Sequence, residues 1–478
     1  MTAPNVFDSD VLYRRMNIRE GEVGAPVWAG NDGHGGHSNN TPLQFTFTFG
    51  DTMYVNAMAS YISFTLATSG ATPSGLAQLR LGPHSLFSSI ELIGANGYCY
   101  ERCLNPELTH LIRLSTKGDP MKGVGMTQRP ASVPTGTLFR NSFNRKYVIQ
   151  LSDLLGIFNS DVLLTPHLLQ GARLVLYPAA SLSRAVQGST VVLSAIPRAN
   201  APNPGSITYS ELLGGVTSVS IENARLHCDM VQLEPQRHAQ VTDAWLRGAL
   251  EVYFDAMGVT RYDASNAASG VVHEYQLSRA YGAVNSVYTK VSYDVAGADN
   301  DASNYNSLVR RNSVDETGTA FNIATPYTDE CGWGLSSFQL RHGNVLHPEV
   351  PINTPEEGLL HYAHSIDAIG PGEAKLPPNF AEFFPLYDLV GMRLGTNNRV
   401  RSTEMNPQSA SGLSRRVNFD QAVTLRVELN RGVSNQLLQT DDATLTPGSV
   451  PAPALFLYVL VNHRATLTHS PAGGATLE

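Results

Sequence analysis

Residues 86–114 read LFSSIELIGANGYCYERCLNPELTHLIRL, and the order of signals in this stretch decides the fold class. Ser88–Ile93 alternates polar and apolar side chains, the period of a strand with one buried face. Asn96-Gly97 follows, the pair best able to hold two residues at positive φ in a type I′ hairpin turn. Tyr98-Cys99-Tyr100 then resumes with aromatic strand formers. Asn105-Pro106-Glu107 reads as a helix start, with Asn at the N-cap, Pro at N1 and an acid in the first turn. Leu108, Leu111, Ile112 and Leu114 fall on one face of that short helix. Strand, tight turn, strand and helical excursion describe a sheet protein with elaborated loops.

The same strand signals recur on both sides. Leu43–Phe49 and Tyr61–Leu66 alternate cleanly, and Lys146–Leu151 and Ala172–Tyr177 are strand-like. Leu154–Phe158 predicts a short helical turn. Residues 216–231 predict two strands joined by a turn near Glu222-Asn223. A second β region repeats the style at 249–254, 271–277, 286–293, 335–341, 423–429 and 454–461, with a helical spacing over 356–369. Two excursions, 115–144 and 295–330, are long, polar loops of the kind that carries function. The fold class is therefore all-β, with two successive sandwiches: residues 43–240, then 241–465. A 1–42 arm precedes them and a loose 466–478 tail follows. In the arm, Phe7, Val11, Leu12 and Met16 predict one face of a short amphipathic helix starting near Ser9.

Composition narrows the function. The chain has 478 residues, enough for two or three cores, and only 15% are charged. A net charge of −8 argues against general polyanion binding, which rests on Lys and Arg neutralising phosphates. The arm itself sets Arg14, Arg15 and Arg19 against Asp8, Asp10, Glu20, Glu22 and Asp32, so it cannot condense a genome. No apolar leader and no 18-residue apolar run are visible, which suggests synthesis inside the cell without secretion. Cys99, Cys103, Cys228 and Cys331 are too few and scattered for a disulfide framework or a zinc pattern.

The search for chemistry returns no catalytic constellation, no cofactor fingerprint and no metal site. There is no Gly-x-Ser-x-Gly elbow, His-Glu-x-x-His helix or phosphate loop. His34 and His37 lie among glycines that cannot preorganise a metal, and Asp299 and Asp301 lack the Gly and bidentate Glu of a calcium loop. His227 and Cys228 are strand neighbours pointing to opposite faces. Trp28, Trp245 and Trp333 are too few for a stacking platform. The chain reads as a non-enzyme.

Four segments carry a family resemblance: LQFTFTFGDTMYVNAMASYISFTL (43–66), SLFSSIELIGANGYCYE (85–101), RKYVIQLSDLLGIFNSDVLLTPHLLQGARLVLYP (145–178) and FQLRHGNVLHPEVPINTPEEGLLHYAHSIDAIG (338–370). In order and spacing they resemble the double jelly-roll major capsid proteins of the adenovirus-hexon lineage, especially those of polinton-like viruses and related small DNA viruses. Gly343, Pro348, Pro351 and Ile352 match that family's stretch before a helix. The resemblance implies two tandem eight-stranded jelly rolls with short helices and long loops between strands. It implies a structural virion subunit, self-assembled as homotrimeric pseudo-hexagonal capsomers. Its further contacts would be minor capsid or penton proteins or an internal membrane, without sequence-specific nucleic-acid binding. The arm face of Phe7, Val11, Leu12 and Met16 would then dock under a neighbour. A two-domain β-sandwich that binds or processes glycans is the alternative.

Overall fold

The computed structural model describes residues 12–19, 27–29, 42–70, 76–79, 83–116, 139–140, 143–160, 162–179, 186–189, 216–247, 250–264, 267, 270–277, 280–294, 335–354, 357–358, 360–361, 365, 390–393, 419, 421–429, 454–470 and 474–477. Most of the two long excursions, residues 117–138 and 295–330, lies outside them, as do Phe7 and Val11.

Chain order begins with β1 (Leu12–Arg19) and β2 (Val27–Ala29). The first roll continues with β3 (Leu43–Thr46), β4 (Met53–Gly70), β5 (Leu76–Leu79), β6 (Phe87–Ile93), β7 (Cys99–Leu104), helix α1 (Pro106–Thr116), β8 (Phe139–Arg140) and β9 (Phe143–Gln150). It closes with β10 (Leu163–Leu164), β11 (Arg173–Pro178), β12 (Val186–Ser189) and β13 (Val216–Gln232). One antiparallel sheet runs β1-β13-β4-β10, with β2 on β13 and β9 on β4; its partner runs β3-β11-β6-β7, and β12-β5-β8 forms a small third sheet. Alternation builds this sandwich: Ile62, Phe64 and Leu66 are buried, while Tyr61, Ser63 and Thr65 between them are half-exposed. Phe64 of β4 meets Phe87 of β6 edge-on at 6.2 Å, so the core lies between the two large sheets.

The second roll repeats the plan with β14 (Leu250–Asp263), β15 (Val272–Leu277), β16 (Val284–Asp294), β17 (Leu335–His342), β18 (Val345–Ile352), β19 (Val390–Arg393), β20 (Val423–Leu429), β21 (Ala454–Ser470) and β22 (Gly474–Leu477). One sheet is β14-β21-β16-β19 with β22 on β21, the other β15-β20-β17-β18. Tyr288, Val459, Val461, Phe338, Leu425 and Val427 are buried on these strands. The all-β class and the tandem jelly rolls stand as expected.

Several local expectations change. Leu12 and Met16 belong to β1, a strand paired residue by residue with β13 from Leu12↔Gln232 to Arg19↔Arg225, and not to an amphipathic helix. Pairing with β13 satisfies the backbone N–H and C=O groups of LYRRMNIR along this edge of the sheet. Residues 216–231 are not two strands with a turn. They form one 17-residue strand, in which Asn223 at φ 51° sits in an irregularity between Glu222 and Arg225. Two further register shifts, at Val216/Ser218 and His227/Asp229, punctuate the pairing of β13 with β4. Of the tail expected to be loose, 466–470 continue β21 and Gly474–Leu477 form β22 paired with it. The boundary set at 240/241 falls inside a helix, Pro235–Leu246, that carries the chain from one roll to the next.

Candidate functional site: the joint between the rolls

The opening hairpin leads directly into the joint. Gly97 takes φ 81°, while Asn96 is not in the positive-φ region, so the turn is a three-residue loop and not the type I′ pair expected. Gly97 N–H donates to Gly94 O at 2.9 Å, Gly94 N–H to Tyr98 O at 2.8 Å, and Tyr98 N–H to the Asn96 side chain at 3.0 Å. Asn96 and Gly97 lie in this loop. At the far end of β7, Asn105 holds φ 48°, a conformation Asn tolerates, and its carbonyl accepts Leu108 N–H as α1 begins. Leu108 and Ile112 are fully buried, as the helical spacing requires. Glu107, Thr109, His110 and Arg113 are buried as well, which the apolar pattern did not reveal.

Buried polar groups order this end of the first roll, and one of them, Arg113, reaches the second. Glu101 on β7 accepts Gly156 N–H at 2.6 Å and Ile157 N–H at 2.9 Å. Arg113 on α1 donates to Ser152 O at 2.6 Å and across the joint to Asp255 O of β14 at 3.3 Å. A side chain at Gly156 would collide with the Asp255 carbonyl, so glycine permits β14 to approach this closely. Phe254 and Ala256 of β14, with Ala465 and Leu467 of β21, join the first roll's apolar core. Burial pushes the Glu101 carboxyl up to about 7; the Ile157 N–H, the Arg113 charge and the Gly156 N–H pull the other way.

Beside this joint a cleft of about 580 Å³ opens between Tyr98, Cys99 and Arg102 of the hairpin and Met257, Tyr281 and His463 of the second roll. Burial, then the Glu91 charge, pushes its Cys99 thiol up to about 11, which disfavours the thiolate. Burial likewise lifts Cys103 and Cys228 to about 12, and all three are free cysteines. His227 stacks on Tyr61 at 4.5 Å and hydrogen-bonds Ser63, on the face opposite buried Cys228.

A second contact clasps the connecting helix. Trp245 on that helix lies parallel to His167 of the first roll, 4.1 Å away at 2°. Its indole N–H donates to Nδ1 of His469 on β21 at 2.5 Å. His238 on the same helix meets Tyr54 OH at 3.0 Å, and Thr242 meets His167 at 3.3 Å. Three histidines and one tryptophan thus join roll, helix and roll. Glu234-Pro235 was the available signal for this helix, but no residue of it is buried, so no apolar stripe marks it.

Among the described residues, one group could hold a metal: His84, His110 and Asp153. Glu101 and Arg113, the buried charged groups at the joint, both hold backbone atoms.

No protein-family profile matches the sequence, and comparison with curated proteins finds no relative. Solved structures are informative. The chain superposes on a chain of the PBCV-1 virus capsid with a TM-score of 0.53 at 11% identity, covering 99% of this chain and 98% of that one. The PBCV-1 protein fitted into a reconstruction of the virophage Sputnik gives the same values. A chain from the Sputnik virophage structure follows, at 0.51 and 10%, with 98% and 88% covered. The likeness spans both rolls and the connection between them, and the chain has the double jelly-roll fold of these viral capsid structures.

Proposed function

We propose that the chain is a viral major capsid protein, a structural subunit without enzymatic activity that resides in the virion shell. The end-to-end match to the PBCV-1 virus capsid chain carries this reading, because it includes two rolls in tandem and not one sandwich of a common type. Three copies, each with two rolls, give six similar wedges and a pseudo-hexagonal capsomer that tiles a facet. Minor capsid or penton proteins, or a membrane beneath the shell, are its further contacts.

The second roll supports self-association. β18 ends its sheet and carries Val345 at 57% and Val350 at 70% exposure, apolar surface on an edge strand that a neighbouring copy would cover. Size exclusion with light scattering should give a species three times the 51.6 kDa chain mass. A monomer in every buffer at micromolar concentration would sink the proposal. Val350→Glu should shift that species toward monomer while leaving circular dichroism unchanged, since the side chain is exposed.

The arm divides at Leu12. We infer that residues ahead of β1, Phe7 and Val11 included, contact a neighbour during assembly. Deleting 1–11 should preserve the trimer and reduce shell yield; deleting 1–20 removes β1 and should also lower the melting temperature. Equal melting temperatures for the two truncations would show that β1 contributes nothing to the folded sheet.

A further inference from the structure

We propose that His84, His110 and Asp153 bind a divalent transition metal of the Zn²⁺ class, which staples helix α1 to the turns on either side of it. The three come from separate elements: the 3-10 turn Pro83–Leu86, α1, and the 3-10 turn Leu151–Asp153. They are 0%, 2% and 2% exposed, and their ligand atoms all lie within 4.8 Å of one another. Two imidazoles and a carboxylate are donors that suit zinc and its neighbours.

One distance favours a metal over a hydrogen-bonded pair. His110 Nδ1 stands 3.5 Å from Asp153 Oδ2, beyond the range of an N–H···O bond. Two ligands on one tetrahedral zinc, each with a bond of about 2.1 Å, sit roughly 3.4 Å apart. That separation fits two ligands of one shared cation. The His84 and His110 rings are stacked at 3.8 Å and 13°, so one must turn to aim its nitrogen at the ion. That torsion joins sp³ to sp² carbon and has a broad well, so the packing around these buried rings, and not the torsion itself, sets the cost of the turn. Three protein ligands leave the fourth position to a trapped water.

The staple would act on the joint without forming part of it. Arg113 follows His110 by one helical turn, and Ser152, which accepts the Arg113 hydrogen bond, adjoins Asp153. The inference is independent of the capsid reading.

The test uses the full-length chain, stripped with chelator and titrated with Zn²⁺ alone, with bound metal measured by mass spectrometry. The expected result is one retained equivalent per chain and a rise in melting temperature on adding Zn²⁺. His84→Gln, His110→Gln and Asp153→Asn should each lose that equivalent and the rise. Wild-type protein that keeps no zinc and shows no thermal shift would overturn the proposal. So would any of the three variants retaining the wild-type equivalent. If a variant fails to fold, the stripped and reloaded wild type decides alone.

Discussion

Replacing Glu101 by alanine is expected to destabilise the protein by roughly 3–5 kcal/mol, the range found when one partner of a buried charged network is removed. Two backbone donors, Gly156 and Ile157 N–H, lose their acceptor, and the nearby Arg113 charge loses a buried counter-charge. Chemical denaturation of the purified chain measures the loss; a change under about 1 kcal/mol would mean that water replaces the carboxylate at the joint. Glu101→Gln separates charge from shape. Burial raises the wild-type carboxyl from 4.5 to about 7, so its neutral form is favoured in the folded state. Its contribution is then fully present below pH 4.5 and is lost as the pH rises through 7. The glutamine variant should lack this part of the pH dependence, and a profile parallel to wild type would show that Glu101 does not titrate there.

The histidine clasp is expected to release in acid. Burial first, and the neighbouring His238 second, hold His167 below its ordinary value of 6.5, against a weaker opposing pull from Asp51. Burial and then His167 do the same to His469. A depressed folded pKa favours the neutral ring, so the sign is opposite to that of Glu101: stability falls as the pH drops below 6.5. The geometry agrees, because an Nδ1 that accepts the Trp245 N–H cannot itself carry a proton. Protonation breaks that bond and places like charges around one indole. Hydrogen-exchange protection over residues 235–246, taken relative to the intrinsic exchange rate at each pH, should fall from pH 7 to pH 5 in wild type and much less in His469→Gln. Equal protection at both pH values would refute the clasp as an acid-sensitive contact.

The strands with strict alternation were legible, because burial on one face imprints period 2 on Leu43–Thr46 and Ile62–Leu66. The α1 start was legible too, since Asn105-Pro106-Glu107 encodes it locally. What failed was reading partners at a distance. Leu12 and Met16 fit a helical stripe as well as a strand, and the open edge of β13 decided between them. Glu222-Asn223 has turn chemistry, yet β4 continues past it and makes it a bulge. His84, His110 and Asp153 are separated along the chain by intervals that match no metal motif, and only the packing of α1 between two turns unites them. Glu101, Arg113 and His167 escaped for the same reason.

The three irregularities between β4 and β13 bear on how the chain finds its native alignment. Leu66 must locate Ile221 across most of the first roll's sequence, a slow search whose products are easily misaligned. For two regular strands of 17 and 18 residues, sliding by two positions would keep every side chain on its proper face at little cost. The shifts at Val216/Ser218, Glu222/Arg225 and His227/Asp229 are unevenly spaced, like the wards of a lock. A slipped pairing would align none of them, so misaligned sheets are discarded early instead of persisting as kinetic traps.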